Sequence, residues 1–274
     1  MISILELFQY QFIINSLIVG SAVAIVAPVI GTFLVVKKFS AFSDTIAHTS
    51  LVGIVIGLIL KINPIFSSII TAIITALSIE TIRKTQKNFN DSILVLFMTG
   101  GLALATILIS LNKNSGININ NYLFGSINTI TTGDIWLTLG VAIFVLGVLA
   151  LLYKQFFQVA FDEDMAIANK LPVDFLNFLF MILAALVVSI SIQTIGILLI
   201  SSLMIIPVLT CLKLKQGFAN TMILSAIFGV ISVWLGVFGS FYLNLATGGL
   251  IVMVNIGLYV LASVIMQIKY LPLT

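Results

Sequence analysis

The composition of this 274-residue chain indicates a protein that lies within a membrane. Apolar residues make up 61% of the sequence and charged residues only 8%, whereas an ordinary globular protein carries about 25% charged residues. So few charges leave too little polar surface to face water, which excludes a water-soluble enzyme, a nucleic-acid-binding protein and a disordered protein. The net charge of +3 is too small to indicate a polyanionic partner. We predict an all-α, multi-pass membrane protein.

Nine apolar stretches are long enough to cross a bilayer, for which about 20 residues suffice. One short stretch could be re-entrant, so we predict eight to nine transmembrane helices in a single transmembrane domain over residues 1–274. Only Gln193 and Thr194 separate the sixth and seventh stretches, which predicts a tight hairpin turn there. The stretches are 9–36, 42–60, 64–82, 92–111, 134–153, 174–193, 195–212, 218–243 and 249–268.

The basic residues are distributed unevenly between the two sides of these stretches. With the loops after stretches 1, 3, 5 and 7 and the C-terminal tail on one side, ten of the twelve lysine and arginine residues lie there. Only Lys61 and Lys113 lie on the other side. Basic residues accumulate on the cytoplasmic side of membrane proteins. We therefore predict that the N-terminus is outside and the C-terminus is in the cytoplasm.

Two connecting segments differ in character from the other loops. Residues 112–132 are polar and rich in asparagine on the outer side, which fits either a solvated connector or a docking surface for an external partner. Residues 154–172 are cytoplasmic and contain three acids at 162–164, which the helix dipole favours in a first turn. Pro172 then ends the element. We predict a short helix that is either a simple connection or a lever moved by a cytoplasmic partner.

Asp44 and His48 are the ionisable residues that lie deepest in a predicted span. Their i, i+4 spacing places both side chains on one helix face. At about 1.5 Å per residue, His48 lies about 15 Å beyond Lys38, close to mid-membrane. A carboxylate with an imidazole suits Zn²⁺ or Mn²⁺ better than Ca²⁺, while a structural hydrogen-bonded pair and a proton relay are the alternatives. Further along, Gly53 and Gly57 would let another helix approach closely.

Glu80, Arg83 and Lys84 form a charged group near the end of the third stretch. Their i+3 and i+4 spacing is typical of an ion pair on a helix surface. We predict a surface ion pair at this position and attach no function to it.

The remaining motifs argue against catalysis by the chain itself. The sequence has no GxxxxGK[ST] phosphate loop, so it does not hydrolyse ATP alone. Its single histidine excludes an HExxH metalloprotease, and no GxSxG element occurs. Secondary transporters often contain repeats and several intramembrane carboxylates, whereas here only Asp44 lies deep and no repeat is visible. We therefore do not expect the chain to be an enzyme, and a secondary transporter is kept as an alternative.

Five segments of the chain carry a resemblance to a known family. They are VVKKFSAFSDTIAHTSLVGIVIGLIL, INPIFSSI, NNYLFGSI, FDEDMAIANKLP and IQTIGILLISSLMIIPVLTCLKL. In this order they resemble the permeases of bacterial zinc and manganese ABC importers over essentially the whole chain. The D-x-x-x-H and G-x-x-L-[IL]-x-x-L-[LM]-I-x-P elements are the most specific. The YLFG run and the NP pair look more like the zinc branch than the manganese branch.

That resemblance implies a division of labour between several subunits. Two copies of the chain form the pore in the bacterial cytoplasmic (inner) membrane, with cytoplasmic ATP-binding-cassette ATPases beneath and a metal-binding protein docking outside. The cargo is a divalent metal, most simply zinc with manganese or iron as alternatives, and no cofactor is bound permanently. The intramembrane metal residues of the family fall on Asp44 and His48. A proline in a pathway helix of the family, where the helix would bend, falls on Pro207.

The resemblance also locates a coupling helix that seats in a groove of the ATPase. It falls within a cytoplasmic loop of about residues 154–173. Family members usually have glycine, which supplies a left-handed helix cap, at the position of Lys170. The lysine therefore predicts a different partner surface. The implied coupling residues are Asp162, Glu163, Asp164, Ala166, Ala168, Lys170 and Leu171.

Overall fold

The computed structural model describes residues 10–85, 90–111, 125, 130–243 and 245–269. Over these ranges the chain forms eleven α-helices and no strand, which confirms the all-α class. Eight of them are long and apolar enough to cross a membrane, and Ile197–Lys213 is a shorter apolar helix. The helices are α1 Gln11–Val36, α2 Phe42–Leu60, α3 Pro64–Thr85, α4 Asn90–Leu111, α5 Thr132–Leu151, α6 Tyr153–Phe161, α7 Glu163–Ala168, α8 Val173–Ile195, α9 Ile197–Lys213, α10 Phe218–Leu243 and α11 Thr247–Lys269.

Two helices, α1 and α8, form the centre of the bundle. Helix α1 packs mainly against α10, α9 and α5, and α8 packs mainly against α3 and α2. Helices α2 to α4 therefore lie on one side of the central pair and α9 to α11 on the other. The central helices are mostly buried, whereas α4, α5 and α11 expose most of their apolar surface. Such all-round apolar helices suit a lipid surrounding.

Helices α2 and α3 approach each other closely at two glycines. A Cβ atom on Gly53 would lie 2.6 Å from the carbonyl oxygen of Ser67 and 2.8 Å from Cα of Ser68. A Cβ atom on Gly57 would lie 2.9 Å from Cα of Pro64. Since real Cβ atoms do not come so near to backbone, both positions require glycine. The expected close approach at the GxxxG spacing is confirmed.

The helical backbone between the sixth and seventh apolar stretches is interrupted at Gly196. Gln193 and Thr194 lie inside α8, which continues to Ile195, so the predicted turn at these two residues was wrong. Gly196 has a φ of 92°, a conformation that glycine adopts at little cost because it has no Cβ. Within an apolar run, a glycine that can adopt positive φ is therefore a stronger signal of a helix end than a pair of polar residues.

Three connections meet at one end of the bundle. Glu163 lies 3.3 Å from the Lys37 ammonium and 3.1 Å from the Arg83 guanidinium. The ends of α1 and α3 and the start of α7 therefore share one side, as the basic residues predicted. That this side is cytoplasmic stays a prediction. Most of the predicted outer segment, residues 112–124 and 126–129, lies outside the described residues.

Candidate metal pathway and coupling segment

Helix α2 begins after a short turn that ends α1. Lys38 takes a φ of 56°, and the Phe39 N–H donates to the Leu34 carbonyl at 2.8 Å. Because this turn is not helical, the position of His48 is counted from the start of α2 rather than from Lys38. His48 lies six residues beyond Phe42, where α2 starts, or about 9 Å along a helix of about 28 Å. It therefore lies about 5 Å short of the middle of the span, and a position close to mid-membrane stays a prediction.

Asp44 and His48, here called the α2 pair, are not bonded to each other. No hydrogen bond or ion pair joins their side chains in the described part of the chain, and His48 Nδ1 is buried without a hydrogen-bond partner. This geometry contradicts the interpretation of a structural hydrogen-bonded pair. Buried polar atoms almost always have a partner. The unpartnered nitrogen therefore marks a position that a ligand would satisfy.

Hydroxyl groups beside the α2 pair hold α2 against its neighbours. Thr45 Oγ1 donates to the carbonyl oxygen of Leu94 in α4 at 3.2 Å. Ser50 Oγ lies 3.3 Å from Ser189 Oγ in α8. These contacts fix α2 on two faces. The α2 pair is half-buried and takes no part in them.

The α2 pair alone is an incomplete metal site. Among the described residues, no group of three or more His, Cys, Asp or Glu side chains could hold a metal ion. Zinc usually takes four ligands and larger divalent ions take six or more. The other ligands of a bound ion would therefore be hydroxyl or carbonyl oxygens, water, or groups of a second chain.

The short helix predicted within residues 154–172, here called the coupling segment, is confirmed. The Asp162 carboxylate caps α7 by accepting a hydrogen bond from the Met165 N–H at 2.9 Å. Glu163 and Asp164 occupy the first turn, where the positive end of the helix dipole favours acids. An aspartate cap followed by two acids explains why so short a helix begins here.

Helix α7 ends at a left-handed lysine. The Leu171 N–H donates to the Ala166 carbonyl at 3.0 Å, and the Lys170 N–H donates to the Ile167 carbonyl at 2.9 Å. These two bonds form a Schellman motif, and Lys170 has the φ of 58° that the motif requires. The lysine adopts the conformation expected of the family glycine, at a cost of about 1–2 kcal/mol for its Cβ.

Exposure separates the residues of the coupling segment into two groups. Ala166 is fully buried, so it packs α7 against the rest of this chain, while Ala168 is exposed. The sequence reasoning missed Met165 and Ile167, whose apolar side chains are 63% and 59% exposed, and the exposed Phe161. A short helix buries one face only, so residues on either side of a buried alanine point outward. That periodicity could have identified Met165 and Ile167.

The ion pair predicted at the surface of α3 is buried. Arg83 donates to both carboxylate oxygens of Glu80, at 2.8 and 2.9 Å, and Glu80 is 0% exposed. Lys84 instead pairs with Asp174 of α8 at 2.9 Å. The predicted Glu80–Arg83 pair is confirmed, but its surface position was wrong, because spacing along α3 does not reveal that α8 packs against it.

Glu163 is the junction of the charged groups at this end. Its Oε1 atom lies 3.3 Å from Lys37 Nζ and accepts hydrogen bonds from Arg83 and Asn177, each at 3.1 Å. Burial by itself would raise the pKa of the Glu163 carboxyl, but Arg83 and Lys37 outweigh burial and lower it. The carboxylate is therefore charged at neutral pH. Its ion pairs are lost only as the pH falls through that lowered pKa.

Pro207 lies inside α9 and is buried. Proline has no N–H and interrupts the helical hydrogen bonding one turn earlier. A Cβ atom added to Gly31 in α1 would lie 1.7 Å from the carbonyl oxygen of Met204. Helix α1 therefore touches α9 just before the proline. The role of Pro207 as a hinge stays a prediction.

Comparison with known proteins decides the family. The ABC 3 transport family matches residues 9–266, which is nearly the whole chain. This chain belongs to the ABC 3 transport family. The match includes the α2 pair, the coupling segment and Pro207. Membership confirms the expected resemblance to ABC permeases and agrees with a transport component rather than a catalytic one.

Individual relatives align with almost the full chain. A metal transport system membrane protein of Treponema pallidum is 33% identical over 96% of this chain and 98% of its own length. The manganese transport system membrane protein MntC of Listeria monocytogenes is 34% identical over 90% of this chain and 88% of its own length. A chain of PsaBC from Streptococcus pneumoniae, solved with a Fab, has a TM-score of 0.84 and 28% identity, covering 96% of this chain and 97% of that chain. The names of the first two relatives refer to metal and to manganese transport, and neither names zinc.

Proposed function

We propose that this chain is the membrane permease of an ATP-binding-cassette importer for divalent first-row metal ions, with manganese ahead of zinc. The observation that carries the proposal is the α2 pair: a carboxylate and an imidazole inside a membrane helix, unbonded to each other, with His48 Nδ1 buried and unpartnered. Intramembrane ionisable residues are costly and usually line a pathway. Membership of the ABC 3 transport family supplies the mode of transport.

The choice of manganese over zinc rests on ligand chemistry and on the relatives. Zinc sites usually combine several imidazole or thiolate ligands, but this chain has one histidine and one cysteine. Its Cys211 is buried in α9. Carboxylate, carbonyl and water ligands suit manganese. The Listeria monocytogenes relative is named for manganese transport, so the zinc expected from the YLFG run ranks second and iron third.

A pair of chains would complete the metal site. One chain supplies only two ligands from the α2 pair, and a twofold axis beside α2 would add the same two from the partner chain. Two carboxylates and two imidazoles then surround one ion, with water filling the other positions. A homodimer is the simplest assembly that provides this symmetry.

The exposed face of the coupling segment suits an ATPase partner. Phe161, Met165 and Ile167 expose apolar side chains beside the acids Asp162 and Asp164. An apolar centre with charged neighbours is typical of a protein interface. We infer that a cytoplasmic ATPase holds this face and supplies the ATP hydrolysis, while a metal-binding protein delivers the ion from outside.

Uptake of radioactive manganese tests the proposal. The permease is co-expressed with its partner ATPase and binding protein in bacteria that lack their own manganese and zinc importers. Excess zinc or iron is added as competitor, and an ATPase variant unable to hydrolyse ATP is the control. We expect uptake that requires active ATPase and that zinc inhibits only weakly. Uptake that survives ATP depletion but collapses with an uncoupler would instead indicate a secondary transporter.

The stoichiometry of bound metal tests the shared site. Purified permease is equilibrated with manganese and the bound ion is counted by mass spectrometry. One ion per two chains supports the paired site, and its loss in Asp44→Asn places it at the α2 pair. One ion per chain would contradict a site shared across the dimer.

A further inference from the structure

The Glu163 junction connects three different helices to the coupling segment. Lys37 follows the last residue of α1, Arg83 lies in the last turn of α3, and Asn177 lies near the start of α8. Each contacts the single oxygen Oε1 of Glu163. Lys37 also donates to Asn177 Oδ1. A displacement of α7 therefore acts on three helix ends through one carboxylate.

Two of these helix ends lead directly to the α2 pair. Only a short turn separates Lys37 from the start of α2, so Asp44 lies seven residues from Lys37. Arg83 lies in the last turn of α3, the helix that packs most extensively against α2 through Gly53 and Gly57. Any movement of the Glu163 junction is thus passed to α2 both along the chain and across its main packing surface.

The Glu163 junction includes charged side chains with little exposure to solvent. Such side chains favour movement between a few defined arrangements. The side chain of Lys37 is 8% exposed, and Glu80, which anchors Arg83, is fully buried. Removing one partner from a buried ion pair is costly, while the intact pair adds little net stability. The nearby Lys84–Asp174 pair contrasts with it, because Asp174 is 78% exposed. Buried charges that must keep their partners move together or exchange partners, so they couple the helices that carry them.

We propose that the Glu163 junction transmits ATPase-driven movement of α7 to the α2 pair, with Lys37, Arg83 and Asn177 as positioning residues of the transport cycle. This inference rests on the proposed function. It differs from ATPase docking, which needs the exposed face of the coupling segment. Lys37 is too buried to contribute to that face. Its contribution is the contact between α7 and the turn that precedes α2.

Replacing Lys37 separates transmission from docking. In the assembled importer, we expect Lys37→Met to retain co-purification with the ATPase and ATP hydrolysis, while manganese uptake per ATP hydrolysed falls about fivefold or more, the usual scale of coupling between sites. Lys37→Arg keeps the charge and is expected to retain most uptake. Asp174→Asn, which breaks the neighbouring exposed pair, is the matched control and is expected to leave uptake unchanged. Glu163→Gln is the second variant, with the same expected separation of hydrolysis from uptake.

A measurement without metal completes the test. Ala41 is exposed in the turn before α2, and Cys211 is the chain's one cysteine, so Ala41→Cys in a Cys211→Ser background takes a single thiol label. We expect nucleotide to change the labelling rate in the parent and not with Lys37→Met. The proposal is overturned if nucleotide changes labelling equally in both, or if Lys37→Met loses ATPase binding together with uptake. Absence of uptake in the parent, with nucleotide-dependent labelling intact, would overturn the proposed cargo and leave the transmission supported.

Discussion

The α2 pair and the Glu163 junction place ionisable groups near the same end of the bundle, but their bonding is opposite. In the junction, Glu163 and Arg83 form several hydrogen bonds and ion pairs. In the α2 pair, Asp44 and His48 are unbonded to each other and His48 Nδ1 has no partner among the described residues. Charges whose partners are all supplied by the chain hold helices together. Groups left without partners inside a membrane protein are available for a ligand.

The largest expected effect comes from removing the imidazole of the α2 pair. His48→Ala should reduce metal uptake to background, because the proposed site would lose one of the two ligands that each chain supplies. Membrane level and thermal stability in detergent should be unchanged, since Nδ1 has no hydrogen bond to lose. Normal uptake by this variant would contradict the assignment, and a large loss of stability would show that His48 has a structural partner.

Removing the buried Glu80 carboxylate that anchors Arg83 should instead lower stability more than it lowers uptake. Glu80→Ala leaves Arg83 without its bidentate partner, and the stability should fall by roughly 3 kcal/mol. The measurement is thermal denaturation in detergent, with His48→Ala as the comparison. If Glu80→Ala and His48→Ala were equally stable, the charges around Arg83 would not stabilise the bundle more than the α2 pair does.

At the left-handed residue that ends α7, we expect a smaller effect, which is an increase in stability. Lys170→Gly should raise the stability by about 1 kcal/mol, because glycine adopts positive φ without the Cβ penalty. Lys154, an exposed lysine inside α6, is the matched control: Lys154→Gly should lower stability by about 1 kcal/mol. Changes of the same sign at both positions would exclude the backbone explanation.

The smallest effect is expected at the exposed ion pair beside the junction. Asp174→Asn breaks its contact with Lys84, but exposed pairs contribute about 0–1 kcal/mol. Thermal stability should therefore change little, at low and at high salt. A loss as large as that of Glu80→Ala would show that burial does not decide which of these charges stabilise the bundle.

The positions of the helices and of the α2 pair were largely predictable from local pattern. Long apolar runs show where a chain crosses a membrane, and the i, i+4 spacing of Asp44 and His48 places them on one face. The start of α7 was predictable because aspartate at 162 is a strong helix cap. By contrast, the break at Gly196 was misplaced, since a polar pair three residues earlier looked like a stronger turn signal.

Composition and local spacing by themselves determined that the chain is an all-α membrane protein, which residues form the α2 pair and where α7 begins. The tertiary structure alone decided that Glu80 is buried, that Glu163 joins α1, α3 and α8, and that the α2 pair is unbonded. The physical reason is that propensity, capping and hydrophobic length act over a few neighbouring residues. Burial and ion pairing depend on which helix faces are brought together by packing between residues far apart in the chain.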